Sequence, residues 1–247
     1  MVDVHCHIIP EVDDGASSWE MAATMCRMAA ADGIDHIVAT PHANDEFSYN
    51  RESLSSALDR LRRVAGSSLS FSLGCDFHFS YENVEGALAQ PARYAIENTR
   101  YLLIEFSDYG IAPSTGDTLF RLIRRGVTPI ITHPERNPLL QRELEKVIPW
   151  IEIGCLVQVT ANALTGRWGE TARHAADWLL RHEAVHLLAT DAHDIKDRPP
   201  ILSNARDIVA QSYGADVAKA LVEDNPRAIV SGKNTELPYL PRPALKR

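Results

Sequence analysis

Cysteine is sparse and unpatterned in this chain. The four cysteines, Cys6, Cys26, Cys75 and Cys155, form no C-x-x-C pair. That spacing fits the reduced thiols of a cytoplasmic protein better than a disulfide framework. No run of about 18 apolar residues occurs, so no transmembrane helix is expected. The N-terminus opens on Val2-Asp3-Val4-His5 with no basic stretch leading into an apolar one, so no signal peptide is expected. Positive charge is in deficit: 25 Lys and Arg face 33 Asp and Glu, a formal charge of −8. An acidic surface repels nucleic-acid phosphates, which argues against a DNA or RNA binder. It leaves a phosphate-bearing substrate open, because bound cations reverse the sign inside a site. Glycine-rich phosphate loops are missing too. Neither G-x-G-x-x-G nor a Walker A pattern follows the first apolar run, where His5-Cys6-His7 stands instead.

What is present is a repeating alternation. Seven short apolar runs read as strands: Met1–Cys6, His36–Thr40, Ser70–Gly74, Tyr101–Phe106, Thr128–Thr132, Leu156–Thr160 and Val185–Thr190. Most are too apolar to alternate, which suits strands buried on both faces of a parallel sheet. Helical patterns lie between them. One starts at Ser17-Ser18-Trp19-Glu20, a cap followed by an acidic residue, and runs to Gly33. Others cover Arg51–Val64, Asp117–Arg125, Gln141–Ile153 and Ala172–Arg181. Gly33, Gly126 and Gly154 each precede a strand, marking the helix-to-strand turn of an α/β unit. At 247 residues with 45% apolar content, the chain suits one well-cored domain. The expected fold is α/β: a distorted (β/α)7 TIM-like barrel spanning residues 1–247, with Leu237–Arg247, rich in proline, as an extended tail.

Nearly every strand ends in a metal-ligating residue. The ends carry His5 and His7; His42; Asp76 and His78; Glu105; His133-Pro134-Glu135-Arg136; and Asp191 and His193. The C-terminal ends of barrel strands converge on one mouth, where active sites form. His-x-His on a strand puts both imidazoles on one side, and Asp191-Ala192-His193 repeats the spacing with a carboxylate. One His-x-His alone is weak, and scattered histidines are commonly surface or satisfied core residues; His36, His174, His182 and His186 are read that way. Coincidence of His5, His7, His42, His133, Asp191 and His193 at strand ends is not. Imidazole mixed with carboxylate suits Mn²⁺, Fe²⁺ or Zn²⁺, and a carboxylate such as Glu105 can bridge two ions. Asp13-Asp14-Gly15 is either an ordinary turn or a loop that delivers Asp14 to the cluster. Arg136 and Arg198 lie beside these motifs, and planar guanidinium forks suit phosphate oxygens.

These motifs resemble the PHP (polymerase and histidinol phosphatase) superfamily, and more closely its tyrosine phosphatases encoded with bacterial capsule and exopolysaccharide genes. The resemblance rests on Val2–Pro10 with Asp13-Asp14-Gly15, Ala39-Thr40-Pro41-His42, Leu103-Ile104-Glu105-Phe106, Thr132–Arg136, Ala189–His193 and Asn225-Pro226-Arg227-Ala228-Ile229. It covers almost the whole chain. It implies two to three divalent ions, manganese favoured, held by His5, His7, Asp14, His42, Asp76, Glu105, His133, Asp191 and His193. It implies hydrolysis of phosphotyrosine on the tail of a bacterial tyrosine kinase that controls polysaccharide export, with Arg136 and Arg198 on the phosphate. The family more often places glutamate where Asp76 stands, a methylene longer. Cys6 and Cys75 also depart from the pattern and, by strand alternation, face away from the ligands. No cysteine is followed by arginine six positions later, so the C-x5-R loop of cysteine-based tyrosine phosphatases is absent. The closest rival is another phosphoesterase of the superfamily, acting on histidinol phosphate or another small phosphate monoester. A non-catalytic metal-binding module would need a broken ligand set.

Overall fold

A computed structural model describes residues 1–66, 69–232, 236–241 and 243. Its strands are β1 (Val2–Cys6), β2 (His36–Ala39), β3 (His42–Ala43), β4 (Ser70–Leu73), β5 (Asp76–His78), β6 (Tyr101–Glu105), β7 (Thr128–Thr132), β8 (Leu156–Thr160) and β9 (Leu187–Ala189). Every ladder is parallel: β1-β2-β4 form one sheet and β3-β5-β6-β7-β8-β9 the other. The end of β9 returns to β1. Asp191 N–H donates to His5 O and His7 N–H to Ala192 O, both at 2.8 Å, and Cys6 bridges Ala192. The result is the expected α/β, TIM-like arrangement of parallel strands.

The distortion has a local cause. The second and third expected strands are β2 and β4, and beyond each, across a break, the chain forms one further strand that was not expected, β3 and β5. Pro41 has no N–H to give a ladder, so β2 stops at Ala39 and the chain resumes as β3. Beside it, β4 stops at Leu73 and resumes as β5 after Gly74-Cys75. A Cβ on Gly74 would lie 2.9 Å from Val38 Cγ1, so only glycine lets the two broken strands stay this close. Gly74 N–H still reaches Ala39 O and Asp76 N–H reaches Pro41 O. The seam tilts β3 and β5 into a register that sets His42 directly beside Asp76.

Helices alternate with the strands: α1 (Trp19–Ala31), α2 (Arg51–Ala65), α3 (Tyr81–Ala89), α4 (Thr115–Arg124), α5 (Val147–Glu152), α6 (Ala161–Leu164), α7 (Gly169–Arg181), α8 (Ser203–Tyr213), α9 (Ala215–Lys219) and α10 (Asn225–Val230). Ser18 caps α1, accepting from Met21 N–H. The helix expected over Gln141–Ile153 is shorter than its pattern. Two 3₁₀ turns occupy Leu140–Arg142 and Leu144–Lys146, and α-helix begins only at Val147. Pro149 explains it: proline is tolerated in a first turn but not deeper. α3 was not expected, because its glycine and scattered apolar residues give no clear stripe; Ser80 caps it through Asn83 N–H.

By strand alternation Leu103 shares a face with Glu105, Ile130 with Thr132, Leu156 with Gln158, and Ala189 with Asp191. The first members belong to one buried apolar cluster. The polar residues at the strand ends therefore stand on an apolar floor. Of the expected tail, residues 242 and 244–247 lie outside the described residues. Its described part is tied down: Tyr239 N–H donates to Asn225 Oδ1, and Asn225 Nδ2 donates back to Tyr239 O.

Candidate metal centre

His5 and His7 point from β1 into the mouth with their Nε2 atoms 3.2 Å apart. Their other nitrogens are committed. His5 Nδ1 lies 2.9 Å from Gln158 Oε1, and His7 Nδ1 lies 2.8 Å from Asp13 Oδ2. Both partners are acceptors, so both Nδ1 atoms carry a proton, and in the neutral rings both Nε2 atoms offer lone pairs. Two lone pairs facing at this distance repel unless a cation or a proton lies between them.

The remaining residues gather around that pair. Asp76 Oδ2 lies 3.4 Å from His5 Nε2 and 3.3 Å from His42 Nδ1. Asp191 Oδ1 lies 3.4 Å from His5 Nε2 and 3.5 Å from His7 Nε2. Asp14 Oδ1 sits 3.2 Å from His42 Nε2 and 3.3 Å from His193 Nε2. Glu105 approaches His42 at 3.7 Å and His133 at 3.8 Å. Three sets could each grip an ion: His7, Asp14, His42 and His193; His5, His7 and Asp76; and His42, Asp76 and Glu105. His7, His42 and Asp76 recur in two sets each, so neighbouring ions would share ligands. Seven of the nine residues singled out from the sequence fall in these sets; Asp191 lies against His5 and His7, and His133 stands at the margin beside Glu105. His78, in register with Glu105, joins none of the three sets. His36 and His186 are structural, bonded to Ser70 and Ser72 and to Val157 N–H respectively. His174 and His182 lie outside the cluster, on and just after α7.

The donor set fits divalent cations. Both oxygens of buried Asp76, His42 Nδ1 and His193 Nε2 have no hydrogen-bond partner among the described residues, and buried polar atoms are rarely left so. The electrostatics agree. Burial favours neutral His5, but Asp76 and Asp191 outweigh it and lift its pKa to about 9. Burial and the charge of Asp76 push Glu105 up to about 8. Burial and His193 push His7 down to about 4. Carboxylates crowded until one prefers its proton are the mark of a site built around positive charge.

Two of the five non-glycine residues with positive φ among the described residues are candidate ligands. His133 has φ 35° and Asp191 φ 51°. Non-glycine residues adopt this region at a cost of about 1–3 kcal/mol, which persists where surrounding structure enforces it. Both sit where a strand ends and its chain turns into the mouth. Gly15 is obligatory for a different reason: a Cβ there would lie 2.2 Å from His7 O. The Asp13-Asp14-Gly15 loop must lie flat on His7 to divide its work. Asp13 fixes the His7 ring and accepts from His42 N–H and Gly15 N–H, while Asp14 reaches the two outer histidines.

Arg136 and Arg198 converge on one atom. Each donates to Asp191 Oδ2, Arg198 Nη2 at 2.6 Å. Asp191 faces the histidines with its other oxygen. The Arg136 and Arg198 side chains stay 18% and 21% exposed, so the guanidinium N–H groups not spent on Asp191 are left for an incoming anion.

Sequence reasoning missed the supporting residues. Gln158 orients His5. Asp3, buried, accepts from Thr190 N–H at 2.9 Å and Thr190 Oγ1 at 2.5 Å, pinning the strand that carries Asp191. Both are polar residues inside apolar strands, and that was the available signal. Trp168, 3.8 Å over the Arg136 guanidinium and 5.3 Å from that of Arg198, left none. Cys6 and Cys75 are buried in the apolar core, as alternation implied.

The chain is similar to known proteins over most of its length. The tyrosine-protein phosphatase CpsB of Streptococcus pneumoniae is 30% identical over 239 residues, covering 93% of this chain and 98% of that protein. The putative tyrosine-protein phosphatase CapC of Staphylococcus aureus is 32% identical over 206 residues, covering 82% and 80%. A solved structure from work on YwqE of Bacillus subtilis and CpsB of S. pneumoniae, described as unique metal-dependent tyrosine phosphatases, superposes with a TM-score of 0.87 at 28% identity over the whole of both chains. The model of the capsular polysaccharide synthesis family CpsB/CapC matches residues 1–231, and the chain belongs to that family.

Proposed function

We propose that this chain is a metal-dependent protein-tyrosine phosphatase whose substrate is the phosphotyrosine tail of a bacterial tyrosine kinase controlling capsular or exopolysaccharide synthesis. The observation that carries the reading is the pairing of convergent His/Asp/Glu ligand sets with two arginines that keep free donors at the same mouth. Family membership and the names of the relatives support it. His5, His7, Asp14, His42, Asp76, Glu105, His133, Asp191 and His193 would hold two to three divalent ions, Mn²⁺ favoured, with Fe²⁺ or Zn²⁺ as alternatives. Such ions supply Lewis-acid stabilisation of phosphoryl charge and a water acidic enough to ionise near neutral pH.

The chain's own residues do the rest. Arg136 and Arg198 bind the phosphate oxygens and, anchored to Asp191, fix the phosphate relative to the ligands. Asp13 and Gln158 hold the His7 and His5 rings so that Nε2, not Nδ1, faces the centre. The phenolate leaving group has a pKa of about 10, so a strong general acid is not required. No cysteine nucleophile is needed: all four are buried, and burial raises their pKa.

The test is a phosphatase assay on chain stripped with EDTA and reloaded with Mn²⁺, Fe²⁺ or Zn²⁺. The substrates are a phosphotyrosine peptide, a phosphoserine peptide and histidinol phosphate. Metal-restored activity on phosphotyrosine, with little on the others, is expected. Preference for histidinol phosphate would transfer the assignment to a small-molecule phosphoesterase, and activity surviving exhaustive stripping would remove metals from the mechanism.

A further inference from the structure

A cavity of about 180 Å³ opens beside the candidate ligands. Glu105, His133 and Arg136 line it together with Phe106, Leu140 and Trp168. At about 180 Å³ the cavity exceeds the roughly 150 Å³ that holds a benzene ring, so it is large enough for one aromatic ring. Asp108, Thr132, Asn137 and Gln141 line it too and are engaged: Thr132 Oγ1 donates to Ile104 O, and Asp108 Oδ1 accepts from Asn137 Nδ2. Asn137 Nδ2 donates to Phe106 O and Ser107 O, and Gln141 Nε2 donates to Glu135 O at 2.7 Å.

Trp168 is held in place by the backbone rather than by the core. Gly166 and Gly169, at φ 81° and 84°, bracket it, and side chains other than glycine's rarely adopt those angles. The neighbouring Arg167 ties the turn to the loop carrying Arg198, donating from Nη1 to Lys196 O at 2.9 Å. Trp168 remains 37% exposed while its mount is braced on two sides, so its ring is presented to the cavity as well as to Arg136.

We propose that this cavity is an aryl subsite and that Trp168 determines specificity, admitting the phenyl ring of an aryl phosphate and so favouring it over an alkyl phosphate. The proposal rests on the phosphatase reading above and deepens it. Trp168 stacks on Arg136 while bounding the slot, so a ring filling the slot completes an aromatic wall next to the phosphate-binding arginine.

The experiment compares Trp168→Ala and Trp168→Phe with the unaltered, Mn²⁺-loaded chain. Rates are measured on phenyl phosphate and on glycerol 2-phosphate. In parallel, binding of benzylphosphonate and methylphosphonate, neither of which is hydrolysed, is followed by calorimetry. Trp168→Ala is expected to lower the aryl-to-alkyl ratio of kcat/KM about tenfold, mainly through KM, and to weaken benzylphosphonate more than methylphosphonate by a similar factor. Trp168→Phe is expected to restore most of both. Equal loss on the aryl and alkyl compounds, or unchanged ratios, would overturn the aryl subsite and leave Trp168 only a support for Arg136. If the unaltered chain hydrolyses neither phosphate, the phosphatase reading falls, while the phosphonate pair still decides the subsite. Metal content and thermal unfolding of each variant separate these outcomes from misfolding, and Trp168→Phe carries the comparison if Trp168→Ala does not fold.

Discussion

His5 and His7 meet Nε2 to Nε2 at 3.2 Å, each with its Nδ1 held by an acceptor from elsewhere in the chain. The flanking carboxylates of Asp76 and Asp191 add negative charge. The pair is therefore stable only with a cation or a proton shared in the gap. Metal should raise stability as well as switch on activity. Adding Mn²⁺ to EDTA-treated chain is expected to raise Tm, with a gain of about 2.7 kcal/mol at a hundredfold excess over Kd. The effect should weaken as pH falls, because the ligands must lose protons to bind. Differential scanning calorimetry across a Mn²⁺ series at two pH values checks this; a Tm indifferent to metal would count against the centre.

The adjacent aspartates are expected to separate cleanly. Asp14→Asn removes a carboxylate within reach of His42 and His193, and should lower the number of ions bound. Asp13→Ala removes the acceptor that fixes the His7 ring. It should keep the stoichiometry but weaken affinity 10- to 100-fold, the usual cost of losing an outer-shell partner. Metal analysis after equilibrium dialysis distinguishes the two. If Asp13→Ala loses an ion and Asp14→Asn does not, their roles are the reverse of those the geometry gives.

Arg136 and Arg198 share Asp191 Oδ2, so their effects should be coupled. Each Arg→Ala change is expected to lower kcat/KM by about 10²-fold, the scale of losing one charge-stabilising donor. The double variant should fall short of the product, since each arginine also holds the acceptor of the other. Lysine should rescue poorly because it lacks the planar fork. A double-mutant cycle on phenyl phosphate reads the coupling, and full additivity would show that the arginines act independently.

The sequence showed the strand ends more clearly than what supports them. A metal ligand announces itself by residue type and by a spacing of two on a strand, so His5, His7, Asp191 and His193 were legible. The break at Pro41 and Gly74 was not, because only tertiary crowding shows that Gly74 has no room for a Cβ. Without that break, His42 and Asp76 would not stand side by side. Gln158 and Asp13 were hidden for a related reason. Each acts on a histidine far away or around a turn, and one sequence carries no sign of that partnership. Trp168 looked like any loop aromatic until the structure placed it over Arg136.

At the opposite end of the strands, His186 makes a stability prediction. It is buried, and its Nδ1 accepts from Val157 N–H at 3.1 Å. Burial pushes its pKa down to about 4. Since the folded value lies below the unfolded one near 6.5, acidification protonates the unfolded chain first. The stability from the neutral ring is whole above about 6.5 and drains away as pH falls toward 4, by about 3 kcal/mol in all. His186→Gln can still accept from Val157 but does not titrate. Its urea midpoint should therefore lie closer to that of the unaltered chain at pH 5 than at pH 7.5. A gap of constant size would mean that His186 does not titrate between them.

Asn225 makes the last prediction, because one side chain joins three segments. Its Nδ2 donates to His186 O at 3.0 Å and to Tyr239 O at 2.7 Å, and its Oδ1 accepts from Tyr239 N–H at 2.9 Å. Asn225 is fully buried. Aspartate is nearly the same size but has no N–H, so it would set a buried carboxylate against two carbonyl oxygens. Asn225→Ala leaves the same carbonyls unpaired without adding charge, and should cost about 1–3 kcal/mol. Asn225→Asp should cost more, since an unpaired charge is added to the loss. Both should free the segment around Tyr239, so limited proteolysis is expected to cut there before the rest of the chain unfolds. The strand ends lie away from this contact, so metal stoichiometry should hold in both variants while the tail is clipped. Loss of metal together with the tail would instead show that Asn225 braces the whole barrel.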